Sequence, residues 1–266
     1  MAQPFKAVFF DATCTLSNDN ALSVNTSDAS SWRAEPHRAT VALPDGSTVP
    51  VKTVSFARAS GPALFFVMSM PSVWRAGGIK NDALGLETMM VAVLLHESSH
   101  VSQFATYGAQ VAGLAERNNL PQSFNDDSLQ ERFEGDPAFA GSIARETDLF
   151  FAAAAASDRA TALRLAKEAR GLMRARTTKY FSGTDAYFRE AEDLWLTMEG
   201  SGQWAGYHWI IDPRGGGFPP TSHSPILPSV VSGGRRTKGW PFFSRWTGWR
   251  RSTGRVWCIA AGRTPC

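Results

Sequence analysis

The sequence predicts an α+β protein, a small N-terminal antiparallel sheet followed by a mostly helical region. Three observations predict it. Residues 5–15, 38–43, 48–57 and 63–70 are rich in Val, Phe and Thr with apolar residues at alternate positions, the period of a half-buried strand. From about residue 83 onward the apolar positions change to helical spacing almost without interruption. With 43% apolar and 11% aromatic residues, the 266-residue chain has enough apolar surface to bury a real core.

Taken in order, "MAQPFKAVFFDATCTL" carries one lysine and a short apolar run that breaks at Asp11. It has no full apolar core or small-residue cleavage site and reads as a strand, not a signal peptide. "LPDGSTVP", residues 43–50, has the Pro-Asp-Gly signature of a tight turn and predicts a hairpin between the strands on either side. "SWRAEPHR" and "SVWRAGG" read as connections, and Asn81 or Asp82 is suited to cap the first helix. Helices are expected over 83–106, 109–118, 127–134, 137–156, 158–178 and 184–207. The breaks fall at Gly108, Pro121, Gly135-Asp136-Pro137, Ser157-Asp158 and Gly183. Residues 1–212 are expected to form one domain, with the sheet in about 5–70 and the helices in about 83–207.

Composition excludes several classes. No stretch approaches the roughly 18 to 20 uninterrupted apolar residues of a membrane span. Cys14, Cys258 and Cys266 form no C-x-x-C pair, so a cysteine zinc site is not indicated. The net charge of +3 conceals an asymmetry: from Pro213 onward there are 9 Lys or Arg and no acid, leaving 18 basic against 24 acidic residues before it.

The segment 213–266 is an irregular basic tail with 16 Gly or Pro. "RRTKGWPFFSRWTGWRRSTGRVW" interleaves Arg with Trp and Phe, yet carries no groove-reading motif for nucleic acid and no clean amphipathic period. Each Trp codon begins TG and each Phe codon TT, so a codon started on the preceding third base always encodes Leu, Met or Val, or an aliphatic residue or Phe. Read so, "TKGWPFFSRWTGW" becomes "EGLALFLALDRL", with the acidic cap and apolar period of a helix. The expectation is that the chain after about Gly217 is a frameshifted terminus, which the coding DNA decides.

The chemistry lies in "VLLHESSHVSQF", residues 93–104. On a helix, residues four apart share a face, so His96 and His100 can offer imidazole nitrogens to one ion at about 2.0 to 2.1 Å. Glu97 sits about 100° around the helix, placed to touch a water on that ion. The flanking Leu84, Leu86, Met89, Met90, Val91, Val93, Leu94 and Leu95 make the helix apolar nearly all round, hence buried. Burying His, Glu and His without metal or partners costs about 1 to 3 kcal/mol each.

With "HESSH" following a sheet and leading into helices, the sequence resembles the zincin metallopeptidases. The resemblance implies Zn2+ held by His96 and His100, Glu97 as general base for the attacking water, and a peptide or protein substrate. It also implies a third protein ligand, since catalytic zinc usually keeps three and leaves the fourth position open. The metzincin extension is absent, because position 103 is Gln and position 106 is Thr. The gluzincin branch remains, in which a later helix supplies a carboxylate. Glu146 in "SIARETDLFFAAAA", flanked by Ile143, Leu149 and Phe150, is the first choice; otherwise it pairs with Arg145 or Lys167 at the surface. Phe150 departs from the acidic residue that gluzincins often carry four positions after the ligand. Glu199 in "FREAEDLWLTMEGSGQWAGYHW" shares a helical face with Glu192 and is the runner-up, as ligand or support to one, with His208 below it. Tyr207 and Tyr180 are both possible oxyanion donors, and spacing selects neither.

Two functions follow. One is a zinc-dependent peptidase-like hydrolase in which metal-activated water attacks a peptide carbonyl. The other is a non-catalytic helical binding protein with a structural or vestigial metal site and a basic tail that contacts anions. Three ligands around an open position favour the first, and a closed site the second.

Overall fold

A computed structural model of the chain describes residues 5–18, 32–61 and 63–218. The tail from 219 onward, including its expected frameshift, lies outside the described residues. The class is α+β, with strands near the N-terminus and helices after them. The described residues fall into two compact units, one running to Gly108 and resuming at Thr197, the other spanning Ala109–Leu196. Among the described residues no helix is long and apolar enough to cross a membrane.

The first unit is built on β1 (Lys6–Phe10), β2 (Cys14–Asn18), β3 (Arg33–Pro36), β6 (Ser55–Ser60) and β7 (Ala63–Ser69), ordered β3-β2-β1-β7-β6. Between β3 and β6, β4 (Thr40–Ala42) and β5 (Thr48–Pro50) form a separate hairpin. Its turn is the Pro-Asp-Gly one expected: Gly46 takes a φ of 81°, and Asp45 Oδ1 accepts from Ser47 N at 3.0 Å and from Ser47 Oγ at 2.6 Å.

The five-stranded sheet is mixed, where alternation predicts an antiparallel one. Three neighbouring pairs are antiparallel, but β1 and β7 run parallel, with Val8 beside Val67 and Lys6 beside Phe65. Apolar alternation reports which face a side chain takes and is blind to strand direction. The parallel pair arises because β2 folds back on one side of β1, and the chain returns to the other side only after the β4–β5 hairpin. One face of the sheet packs Val8, Phe10, Phe65 and Val67 with Val41, Leu43 and Val54.

"SVWRAGG", expected as a connection, lies mostly in the short helix α1 (Pro71–Ala76), started by the preceding proline and pinned by Trp74 Nε1 donating to the Ser69 carbonyl at 3.1 Å. Asn81 Oδ1 accepts from the amides of Ala83 and Leu84, so it caps the turn leading into α2 (Leu86–Gln103). This helix packs on β6 and β7, and after it Phe104–Gly108 winds as one π-helical turn.

The second unit holds α3 (Ala109–Arg117), α4 (Ser128–Phe133), α5 (Pro137–Ala154), α6 (Arg159–Tyr180) and the first part of α7 (Phe188–Ile211). Asp136 caps α5 by accepting from Ala138 N and Phe139 N, with Pro137 in the first turn, and Asp158 caps α6 by accepting from Thr161 N. The breaks read from sequence at 135–137 and 157–158 are these caps. The core joins Leu114, Leu129, Phe133, Phe139, Ile143, Phe181, Phe188 and Trp195, with the rings of Phe133 and Phe139 stacked 4.5 Å apart.

Candidate metal centre

The four-residue spacing on α2 brings His96 and His100 together. Their rings stand at 88° with centroids 4.5 Å apart, and their Nε2 atoms are 2.8 Å apart. Both residues are buried. Glu199, on the part of α7 that belongs to the same unit, closes the group: its Oε2 lies 3.3 Å from His96 Nε2 and its Oε1 3.3 Å from His100 Nε2. The ligand atoms of the three residues all lie within 4.8 Å of one another.

Glycine makes this approach possible. A Cβ on Gly206 would stand 2.7 Å from the Ala92 carbonyl oxygen, and one on Gly202 would stand 2.6 Å from His96 Nδ1. Each glycine weakens a helix by about 1 kcal/mol relative to alanine, and here the missing side chains let the backbone of α7 close on α2.

The group fits a cation. Two ligands about 2.05 Å from a tetrahedral ion lie about 3.3 Å apart, the separation of each Glu199 oxygen from one imidazole; the two Nε2 atoms, 2.8 Å apart, would open by about 0.5 Å around such an ion. Two nitrogens and a carboxylate oxygen are also a donor set suited to zinc. Without an ion the cluster holds a proton. Burial works against charging His100, but its hydrogen bond to Glu199, the charges of Glu199 and Glu97, and Gln103 together raise its pKa to about 9. Burial likewise opposes the charge on Glu199, yet its hydrogen bonds to His100 and His96 hold its carboxyl well below the usual range.

Glu97 is 5% exposed. Among the described residues its carboxylate has no hydrogen bond or ion pair, although His100 feels its charge. Gln103, one turn beyond His100, accepts from His100 Nδ1 through Oε1 at 3.2 Å. Its amide nitrogen donates to the Met198 carbonyl at 3.4 Å and to Ser201 Oγ.

Glu146, the first choice for third ligand, is occupied otherwise. In the second unit Arg176 grips it bidentately, Nε to Oε1 at 2.9 Å and a terminal nitrogen to Oε2 at 2.9 Å, and Ser142 Oγ donates to Oε1 at 2.9 Å. Arg176 also reaches Glu192 Oε1 at 2.8 Å and lies over the rings of Phe139 and Phe181. All three charged residues are buried. Burial pushes the Glu192 carboxyl up, against the pull of Arg176. The surface pairing with Arg145 or Lys167 is replaced by this buried one, and Arg145 pairs with Glu168 instead. Of the two carboxylates the sequence puts forward, Glu199 is the one set against both imidazoles.

His208 stacks edge-on against Trp204, centroids 4.0 Å apart, and Tyr207 lies beside it. Neither belongs to the group of ligand atoms. The Tyr180 hydroxyl accepts from Lys179 Nζ in the second unit. Sequence reading misses Gln103, Gly202 and Arg176. Gln103 and Gly202 carry a signal in retrospect: the first is three residues past His100 on the same helical face, and the second belongs to a glycine pair four apart.

Compared with known protein families, with curated proteins and with solved structures, the chain finds no match. Its functional reading therefore rests on the geometry above.

Proposed function

We propose that the chain is a zinc-dependent, metallopeptidase-like hydrolase in which His96, His100 and Glu199 hold the ion and Glu97 is the general base. One observation carries the reading: the Glu199 carboxylate meets both Nε2 atoms at 3.3 Å, beside a buried glutamate that has no bonding partner among the described residues. A bound zinc ion supplies Lewis acidity and lowers the pKa of a water held there to about 7.

The chain's own residues do the rest. His96 and His100 bind in their neutral forms and Glu199 as an anion, so the site keeps net positive charge for polarising a peptide carbonyl. Glu97 follows His96 directly and lies about 100° around the helix from it. It accepts the proton of the attacking water and passes it to the leaving amine.

The test is hydrolysis of an unstructured protein by the zinc-loaded chain, wild type against Glu97→Gln. Both are expected to bind one ion per chain, with the variant at least about 100-fold slower. Equal rates, or no hydrolysis by a wild type that holds zinc, remove the enzyme reading.

Burial favours a second reading. The Glu199 side chain is only 14% exposed and both histidines are buried, as in a closed site where the ion is structural. In that case the same three residues bind zinc, no substrate is cleaved, and removing the ion lowers the melting temperature sharply.

A further inference from the structure

His96 meets one turn of α7 directly and His100 is linked to the same turn through Gln103, and that turn carries Glu199. Gly202 abuts His96 there: a Cβ in its place would stand 2.6 Å from His96 Nδ1 and 3.0 Å from two further ring atoms. His100 reaches the same turn through Gln103, whose amide nitrogen donates to the Met198 carbonyl and to Ser201 Oγ. Ser201 in turn donates to the Met198 carbonyl at 3.0 Å.

These bonds settle which way the Gln103 amide points. The Met198 carbonyl only accepts, so the NH2 end must face it and the oxygen must face His100. An oxygen 3.2 Å from His100 Nδ1 requires the proton on Nδ1. The lone pair of neutral His100 is then on Nε2, the atom that faces Glu199 and His96. Space-filling alone does not account for a buried glutamine, because an apolar residue of similar volume fills the slot without burying an amide.

We propose that Gln103 is a positioning residue for the metal centre, holding His100 in the tautomer that presents Nε2 to the ion and tying that choice to the Met198–Gly202 turn that carries Glu199. The inference rests on the three-ligand reading of the site. It makes the centre a unit: a change in the 198–202 turn reaches His100 through Gln103, His96 through Gly202, and the ion directly through Glu199.

The experiment measures zinc affinity of the full chain by competition with a chelating indicator, together with the visible absorption spectrum of the cobalt-substituted protein. Gln103→Met keeps the volume and removes both the acceptor facing Nδ1 and the donor to α7; Gln103→Glu keeps an acceptor facing Nδ1 and removes only the donor to the Met198 carbonyl. Gln103→Met is expected to bind zinc about 10 to 100-fold more weakly with an altered cobalt spectrum, and Gln103→Glu about three- to tenfold more weakly with the wild-type spectrum. Equal weakening in both, or wild-type affinity and spectrum in Gln103→Met, overturns the proposal. If Gln103→Met does not fold, Ser201→Ala, at an exposed position, is read in its place. It removes one of the two α7 acceptors of the Gln103 amide and is expected to weaken zinc about three- to tenfold, and unchanged affinity overturns the proposal. A wild type that binds no zinc, or His100→Ala that binds as tightly as wild type, removes the underlying reading instead.

Discussion

Glu199 Oε1 lies 3.3 Å from His100 Nε2, and the same carboxylate turns its other oxygen to His96 at the same distance. An anion placed symmetrically between two buried imidazoles is a costly arrangement unless a cation or a proton is shared among them. It also explains the glycines of α7. A helix that gives up Cβ atoms at positions 202 and 206 loses propensity and gains an approach close enough for Glu199 to reach the pair.

The charge balance of this group sets a pH dependence. His100 titrates at about 9 in the metal-free protein, raised from 6.5, so near pH 7.5 the pair carries a proton that zinc must displace. Zinc affinity is expected to rise about tenfold per pH unit up to about 9 and then level off. Binding should release close to one proton, measurable by calorimetry in buffers of different ionisation heat. Affinity that is flat from pH 7 to 9 contradicts the raised value. In the metal-free protein the sign is opposite: stability from this pair is fully present below pH 6.5 and is lost as pH rises through about 9.

Glu146 and Arg176 predict a separation of stability from metal binding. Glu146→Ala leaves a buried guanidinium without its bidentate partner and is expected to destabilise the fold by about 3 to 5 kcal/mol, read by chemical denaturation. Where the variant is folded, its zinc affinity should equal that of wild type. Replacing Glu146, Arg176 and Glu192 together by apolar residues of similar volume should recover much of the loss. A Glu146→Ala protein as stable as wild type contradicts the buried triad.

Gly202→Ala tests the closeness of the helices. The added methyl meets the His96 ring at 2.6 to 3.0 Å, and a ring held by burial on both sides has little room to move. Destabilisation of about 1 to 3 kcal/mol and zinc affinity at least about tenfold weaker are expected from denaturation and metal competition. Gly183→Ala in the second unit, with open space around the added atom but a φ of 57°, should cost stability without touching zinc affinity. Wild-type affinity in Gly202→Ala contradicts the close approach.

What the sequence reveals here follows from what is local. His96, Glu97 and His100 share one turn of one helix, so spacing alone puts the two imidazoles side by side. Caps at Asp136 and Asp158, and the Asp45-Gly46 turn, are equally local and equally legible. The parallel pairing of β1 with β7 is not, because alternation is the same for either direction. Neither is the choice of carboxylate. Glu146 sits among apolar neighbours and Glu199 shares a helical face with Glu192, and what separates them is a partner far along the chain: Arg176 for one, the imidazoles for the other. Arg176 shares its helical face with Ala169 and Tyr180, so its burial has a faint signal in the period of α6, but its pairing with Glu146 has none. Gln103 reads in the sequence only as a residue that breaks the metzincin pattern; its role becomes visible once Met198 and Ser201 are seen across from it.

The proposed metal centre joins Glu199 with His96 and His100. Its most direct test is the zinc content of the purified chain after dialysis against trace metal, by mass spectrometry, for wild type, His100→Ala, Glu199→Ala and Glu146→Ala. Close to one zinc per chain is expected in wild type and Glu146→Ala, and little or none in His100→Ala and Glu199→Ala. Equal zinc in all four, or zinc retained in Glu199→Ala and lost in Glu146→Ala, contradicts it.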